Sequence, residues 1–175
     1  MPSPCAWSRA GFYCLTMRHA TVARLTSSIY GTVLAIALVA AYSAEESLDP
    51  ILIAAALLVT LGVFWLAHSQ AELLALRYTV GHSLAGHEVR DALRHGWPMV
   101  EAGFPLAAAL VLGGVGVVSD DTSVTLALVA GVAELAGWGI AVGRRERLGA
   151  LQTAGVTAAN MALGMAVVGL KLLIH

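Results

Sequence analysis

The sequence predicts an all-α integral membrane protein, a bundle of five transmembrane helices with one short amphipathic helix on the cytoplasmic side between the second and third. Three observations lead there. Of the 175 residues, 58% are hydrophobic and only 12% charged, against roughly 25% charged in a soluble domain. A single soluble core of this size has no room for so much apolar surface, so lipid has to be the solvent. Apolar stretches of about 20 residues recur, and at ~1.5 Å per residue each matches a ~30 Å hydrocarbon layer. Finally, the connections between those stretches alternate between basic and acidic. The net charge of −1 hides that alternation. No basic run with interleaved aromatic residues is present, so no nucleic-acid partner is expected.

Residues 1–24 form a basic leader with Arg9, Arg18, His19 and Arg24. Pro2, Pro4 and Gly11 oppose a stable helix there, and the leader is expected to be poorly ordered. Met17 is an alternative translation start, since MRHATVAR is an ordinary basic lead into a span. Cys5 and Cys14 have neither zinc-ligand spacing nor the context of a disulfide framework. The remainder, 25–175, reads as one transmembrane domain.

The first span, 25–44, is uncharged. Its alternative reading is a secretory signal with small residues at Ser43 and Ala44 for cleavage, although the apolar run is longer than a usual signal core. Either way Glu45 and Glu46 end outside. The second span, about 50–70, starts after Asp49-Pro50 and continues as a helical pattern to Arg77, so it protrudes past the hydrocarbon; Trp65 suits an interfacial anchor. Residues 83–96 are too polar to span. Ala85, Val89, Leu93 and Trp97 recur one turn apart among Glu88, Asp91, Arg94 and His95, the pattern of an amphipathic interfacial helix. Gly96-Trp97-Pro98 is expected to turn the chain into the third span, about 98–118, where Pro98 suits a first turn and Pro105 introduces a kink. An acidic loop with capping residues, 119–123, leads into the fourth span, about 123–143. The basic loop Arg144-Arg145-Glu146-Arg147 leads into the fifth, about 148–170, which ends at Lys171 and His175.

Lysine and arginine concentrate on the cytoplasmic side of a membrane. The leader, the connector with Arg77, Arg90 and Arg94, and the loop 144–147 all fall on one side when the N-terminus is cytoplasmic and the C-terminus external. The alanine- and glycine-rich composition resembles that of small integral membrane proteins from high-GC bacteria, which places the expectation in a bacterial plasma membrane.

The candidate site residues are the polar groups inside the spans: Glu134, Asn160, Glu101, His68 and Glu72. Glu134 lies about 13 Å along its helix from Gly143, close to the bilayer midplane. An acid there costs a few kcal/mol, so it is expected to face protein or water and to mark function. Low polarity disfavours the charged form, so the acid is expected to stay neutral unless a cation accompanies it. The plainer reading is a protonated acid hydrogen-bonded to Asn160 or to a backbone carbonyl. Asn160 falls at similar depth, with Gln152, Thr153 and Thr157 below it, giving a polar column that ends near mid-membrane. His68 and Glu72 share a helix face at i and i+4. They read either as a proton relay or half a metal site, or as an ion pair at the helix end. Glu101 lies near the cytoplasmic boundary, to pair with His68 or with Arg94. His82, His87 and His95 read as a solvated connector face.

Arg90-Asp91-Ala92-Leu93-Arg94-His95 resembles the R-[NDH]-x-x-x-H pattern of the HEPN ribonuclease family. The resemblance covers six residues, beside a membrane, with no wider nuclease domain around them. Gly113, Gly114, Gly116, Gly139, Gly143, Gly155, Gly164 and Gly169 permit close helix contact, within the chain or in a homo-oligomer. No H-E-x-x-H, G-x-S-x-G or Walker sequence is present, so no catalytic residue, metal site or cofactor is assigned.

Three readings of function follow. The first is a small proton- or cation-linked transport or channel-like protein, expected to be homo-oligomeric, with Glu134 oriented by Asn160 and entered past His68 and Glu101. The second is a non-catalytic subunit or scaffold of a larger membrane complex. The third is an intramembrane metalloenzyme, which requires His68, Glu72, Glu101 and Glu134 to converge.

Overall fold

A computed structural model describes residues 9–43, 48–80 and 86–174. These are all-α: α1 (Arg9–Tyr42), α2 (Pro50–Val80), α3 (Gly86–Gly96), α4 (Pro98–Glu101), α5 (Phe104–Gly114), α6 (Asp120–Arg145) and α7 (Ala150–Ile174). Four helices, α1, α2, α6 and α7, are long and apolar enough to cross a membrane, and the bent pair formed by Gly86–Glu101 and Phe104–Gly114 supplies a fifth crossing if it is one span. The expectations for Pro2, Pro4 and Cys5, for Glu45 and Glu46, and for His82 and His175 lie outside the described residues.

The long helices start and stop where chemistry dictates. Asp49 accepts the Ile51 backbone N–H at 2.7 Å and caps α2. Ser119, in extended conformation, accepts the Thr122 N–H and opens α6, whose first turn carries Asp120 and Asp121 and whose last turn carries Arg144 and Arg145. Both placements complement the helix dipole. At 31 residues α2 is about 46 Å long, so its last third projects beyond a ~30 Å layer.

Two elements depart from expectation. The helix of α1 begins at Arg9 and takes in most of the basic leader. Beyond Pro4 only Gly11 disfavours helix, and at ~1 kcal/mol one glycine does not stop a helix that a long apolar span continues. The third span is divided. Trp97 keeps helical dihedrals, so α3 runs on into α4 rather than turning at Gly96-Trp97-Pro98. The 43° bend falls instead at the break after Glu101. Pro105 has no N–H for the Glu101 carbonyl, and at Gly103 a Cβ would collide with the Leu61 side chain. The span ends at Gly114 rather than Val118, because Gly116 adopts φ +76. With the bonds Val117 N–H to Leu112 O and Gly116 N–H to Gly113 O, the chain closes a Schellman turn.

Contacts place α1 at the centre. Its side chains Ala35, Ile36 and Val39 are fully buried, together with Leu57 and Leu61 of α2, Leu106 and Leu110 of α5, and Ala127 and Leu135 of α6. The first apolar segment is therefore the middle of the bundle, and a chain without it would lose the core side chains Ile36 and Val39. Burial of the membrane-length windows makes the same point, 44% for α1 and 6% for α7.

Glycines mark the closest approaches, Gly139, Gly143 and Gly164 among the expected ones and Gly31 and Gly131 in addition. A Cβ on Gly31 would lie 2.5 Å from the Met99 carbonyl oxygen, and one on Gly131 2.5 Å from the Ile36 side chain. Between α6 and α7, Gly139 faces Thr157, Gly143 faces Thr153, and Gly164 faces Leu135, which fixes an antiparallel hairpin. Gly155 and Gly169 have nothing within 4 Å and take no part in packing within the chain.

Gly139→Ala forces α7 away, because the new Cβ would sit 2.6 Å from the Thr157 Cα. The overpacking cost of about 1–3 kcal/mol outweighs a helix-propensity gain of at most ~1 kcal/mol. Thermal denaturation in detergent should show Gly139→Ala destabilised and Gly155→Ala unchanged or slightly stabilised. A second change acts on the loop between them. Arg147 adopts φ 54 and closes α6 with Leu148 N–H bonded to Gly143 O at 2.9 Å. Arg147→Gly should raise stability by about 1 kcal/mol in the same assay.

Candidate functional site

The side chain that most needs an explanation is Glu134. It sits about 16 Å along α6 from Ser123 and about 13 Å from Gly143, so it falls near the middle of the span. Ala127, Gly131 and Leu135 are buried on one stripe of α6, and Glu134 borders that stripe, half-buried and turned towards α1. Its carboxyl lies against the Thr32 hydroxyl of α1 and the Trp138 indole one turn along α6. Thr32 is fully buried, and its hydroxyl donates to the Ser28 carbonyl at 2.9 Å. The approaches are close, yet Glu134 Oε2 and Trp138 Nε1 are both buried without a completed hydrogen bond to a protein atom.

Further polar side chains lie between this depth and the end of the bundle that carries the basic segments. Ser27 and Ser28 are buried on α1. On α7, Thr157 Oγ1 is buried and unpartnered beside Gly139, and Thr153 lies against Gly143. Asn160 takes a different role from the expected one: its Nδ2 donates to the Leu135 carbonyl at 3.4 Å and ties α7 to α6. The side chains facing Glu134 are Thr32 and Trp138. Thr32 was hidden in the sequence because a threonine in an apolar span announces nothing about its partner. Trp138 stood one helical turn after the acid, and that spacing was the available signal.

The other candidates are dispersed. On α2 the inward side carries Leu57, Leu61 and Ser69, all fully or almost fully buried, and His68 falls next to this line and is exposed. Around the break after α4, Met99, Val100 and Ala102 are buried, which leaves Glu101 as the outward, exposed position. The entrance expected from His68 and Glu101 is therefore not assembled beside Glu134. Glu72 does meet a histidine, but it is His95 of α3, with Nδ1 3.8 Å from Oε1 and both side chains about one-third exposed. Such a pair contributes about 0–1 kcal/mol and is charged only when His95 is protonated.

That contact belongs to a joint between α2 and α3. Trp65 Nε1 donates to the Leu93 carbonyl at 2.9 Å, and its ring meets Trp97 edge-on at a centroid distance of 5.2 Å. Gly96 lets the helices close, since a Cβ there would lie 2.9 Å from Trp65. Among the described residues, no group of three or more His, Cys, Asp or Glu side chains is placed to hold a metal ion. The convergence that a metalloenzyme requires is thus not found among them.

Comparison with protein-family models, with curated proteins and with solved structures finds no match to this chain. The functional argument rests on the geometry above.

Proposed function

We propose that this is a small transport or channel-like protein of the bacterial plasma membrane, working as a homo-oligomer, in which Glu134 is the intramembrane proton- or cation-binding group. One observation carries the reading: a carboxyl in the middle of a span is turned towards the central helix and keeps a buried oxygen without a protein partner. An acid at that depth costs a few kcal/mol, and a purely structural acid would have its hydrogen bonds completed within the protein. The buried Ser28 and Thr32 of α1 and Thr157 of α7 supply polar groups between Glu134 and the basic end. By the distribution of arginine that end is cytoplasmic, with the N-terminus inside and the C-terminus outside.

In proteoliposomes, the wild-type protein should support ion flux that depends on pH, and Glu134→Gln should reduce it to the level of empty vesicles. Unchanged flux in the variant overturns the reading.

A non-catalytic subunit of a larger membrane complex is the second reading, favoured by α7. Little of that helix is buried inside the chain, and Gly155 and Gly169 leave room for another helix to approach. Purification in mild detergent separates the two. A homogeneous homo-oligomer supports the first reading, and obligate co-purification of a different chain supports the second.

A further inference from the structure

We infer that the outward face of the broken third span is a contact surface for a second copy of this chain, centred on Glu101, and not a lipid face. The inference rests on the homo-oligomeric part of the proposed function and names the face that forms it; it is independent of what Glu134 binds. It starts from the depth of Glu101. Gly103, two residues on, packs against Leu58 and Leu61 of α2. Leu61 stands about 17 Å along α2 from Pro50. On the other flank of the break, α5 runs from Phe104 to Gly114, again about 16 Å. Glu101 therefore lies about 20 Å from the Pro50 end of the bundle and about 10 Å inside the opposite boundary of a ~30 Å layer. At that depth its side chain is exposed. Among the described residues it meets no ion-pair or hydrogen-bond partner.

Lipid is a poor cover for this face. Its other exposed side chains, Trp97, Phe104, Val111 and Leu112, are apolar or aromatic, and one acid is set among them. An ionisable group inside the hydrocarbon is costly and belongs against protein or water. The acid has no way to turn inwards, because Met99 and Val100 already fill the inner side of α4. Elsewhere the bundle exposes side chains that lipid accepts, such as Val59 of α2, Leu126 of α6 and Leu163 of α7. A second copy supplies what the face lacks. Two copies inserted in the same sense are related by an axis along the membrane normal, and such a contact is isologous. Side chains near the axis then meet their own counterparts at equal depth. Glu101 thereby gains polar company in its own layer: the other Glu101 and, one helical turn away, the other Trp97, whose indole N–H is a donor only. A different chain has to bring a matching polar group to this depth, whereas a second copy carries one by symmetry. Ala108, exposed on the same face, is small enough to let the two helices close up.

Disulfide cross-linking in proteoliposomes reads the contact directly, since a disulfide demands Cα atoms within about 7 Å of each other. In a background of Cys5→Ser and Cys14→Ser, mild oxidation should convert Glu101→Cys and Ala108→Cys to covalent dimers and leave Leu163→Cys on α7 monomeric. Ala108→Cys keeps the acid, so it decides the matter if Glu101→Cys does not fold. Absence of cross-links from both positions overturns the inference, as do cross-links through Leu163→Cys alone. Glu101→Leu removes the polar contact and keeps a side chain that lipid accepts. It should weaken the dimer several-fold on dilution in detergent, measured by light scattering, and an unchanged dimer removes the acid as the centre of the contact. The two proposals fail separately. A homo-oligomer that cross-links only through α7 removes this face and leaves the proposed function standing. Cross-links at Ala108→Cys, with flux unaffected by Glu134→Gln, leave this face standing and remove ion transport. A chain that is monomeric in both assays removes this face together with the homo-oligomer.

Discussion

Helices in lipid gain nothing by hiding apolar side chains from one another, because the lipid tails are equally apolar. What holds such a bundle together is how closely its backbones approach and how completely its polar groups are paired. Here both run through α1. Gly31 admits the backbone of Met99, and Gly131 admits Ile36 of the same helix. Around these two approaches the other helices are arranged, with α4 on one side of α1 and the α6–α7 hairpin on the other. The apolar core of Ile36, Leu57, Leu61, Leu106, Leu110 and Leu135 fills the space that the approaches define.

Much of the architecture was legible in the sequence because it rests on local rules. Apolar length sets the spans. Asp49 and Ser119 announce helix starts, and Pro105 announces a bend. The bend lay a few residues from the turn expected at Gly96-Trp97-Pro98 because Pro98 at the start of a helical turn lacks an N–H that was not needed there, whereas Pro105 removes one that was. The end of the third span was misplaced because its closing signal, Gly116 in a left-handed conformation, is indistinguishable in sequence from the packing glycines beside it.

The candidate site was half legible. Glu134 stands out because an acid in an apolar run is costly wherever it points. Its partners do not stand out, because which side of α6 meets α1 is decided by Ala127, Gly131 and Leu135 and by residues nearly a hundred positions earlier in the chain. Asn160 was close in depth and chemistry, yet it lies across the α6–α7 contact and reaches the Leu135 carbonyl instead. His68 and Glu101 were expected inward on the strength of depth alone. Depth fixes the layer of a residue but not its azimuth, and each falls just outside the inward arc of its helix. Glu72 and His95 show the converse: a pairing between separate helices that no spacing within either one encodes.

The central position of α1 has a consequence for assembly. Its buried Thr32 belongs against α6, which is synthesised late and carries Glu134. A sequence separation this large makes the closing contact slow to form, and α1 has to wait for α6 with only its earlier neighbours beside it. A helix in that position has to be apolar enough to persist without α6 and polar enough to recognise it. The Thr32 hydroxyl meets both demands by bonding back to the Ser28 carbonyl of its own helix: its hydrogen is masked before α6 arrives, and its lone pairs are presented afterwards.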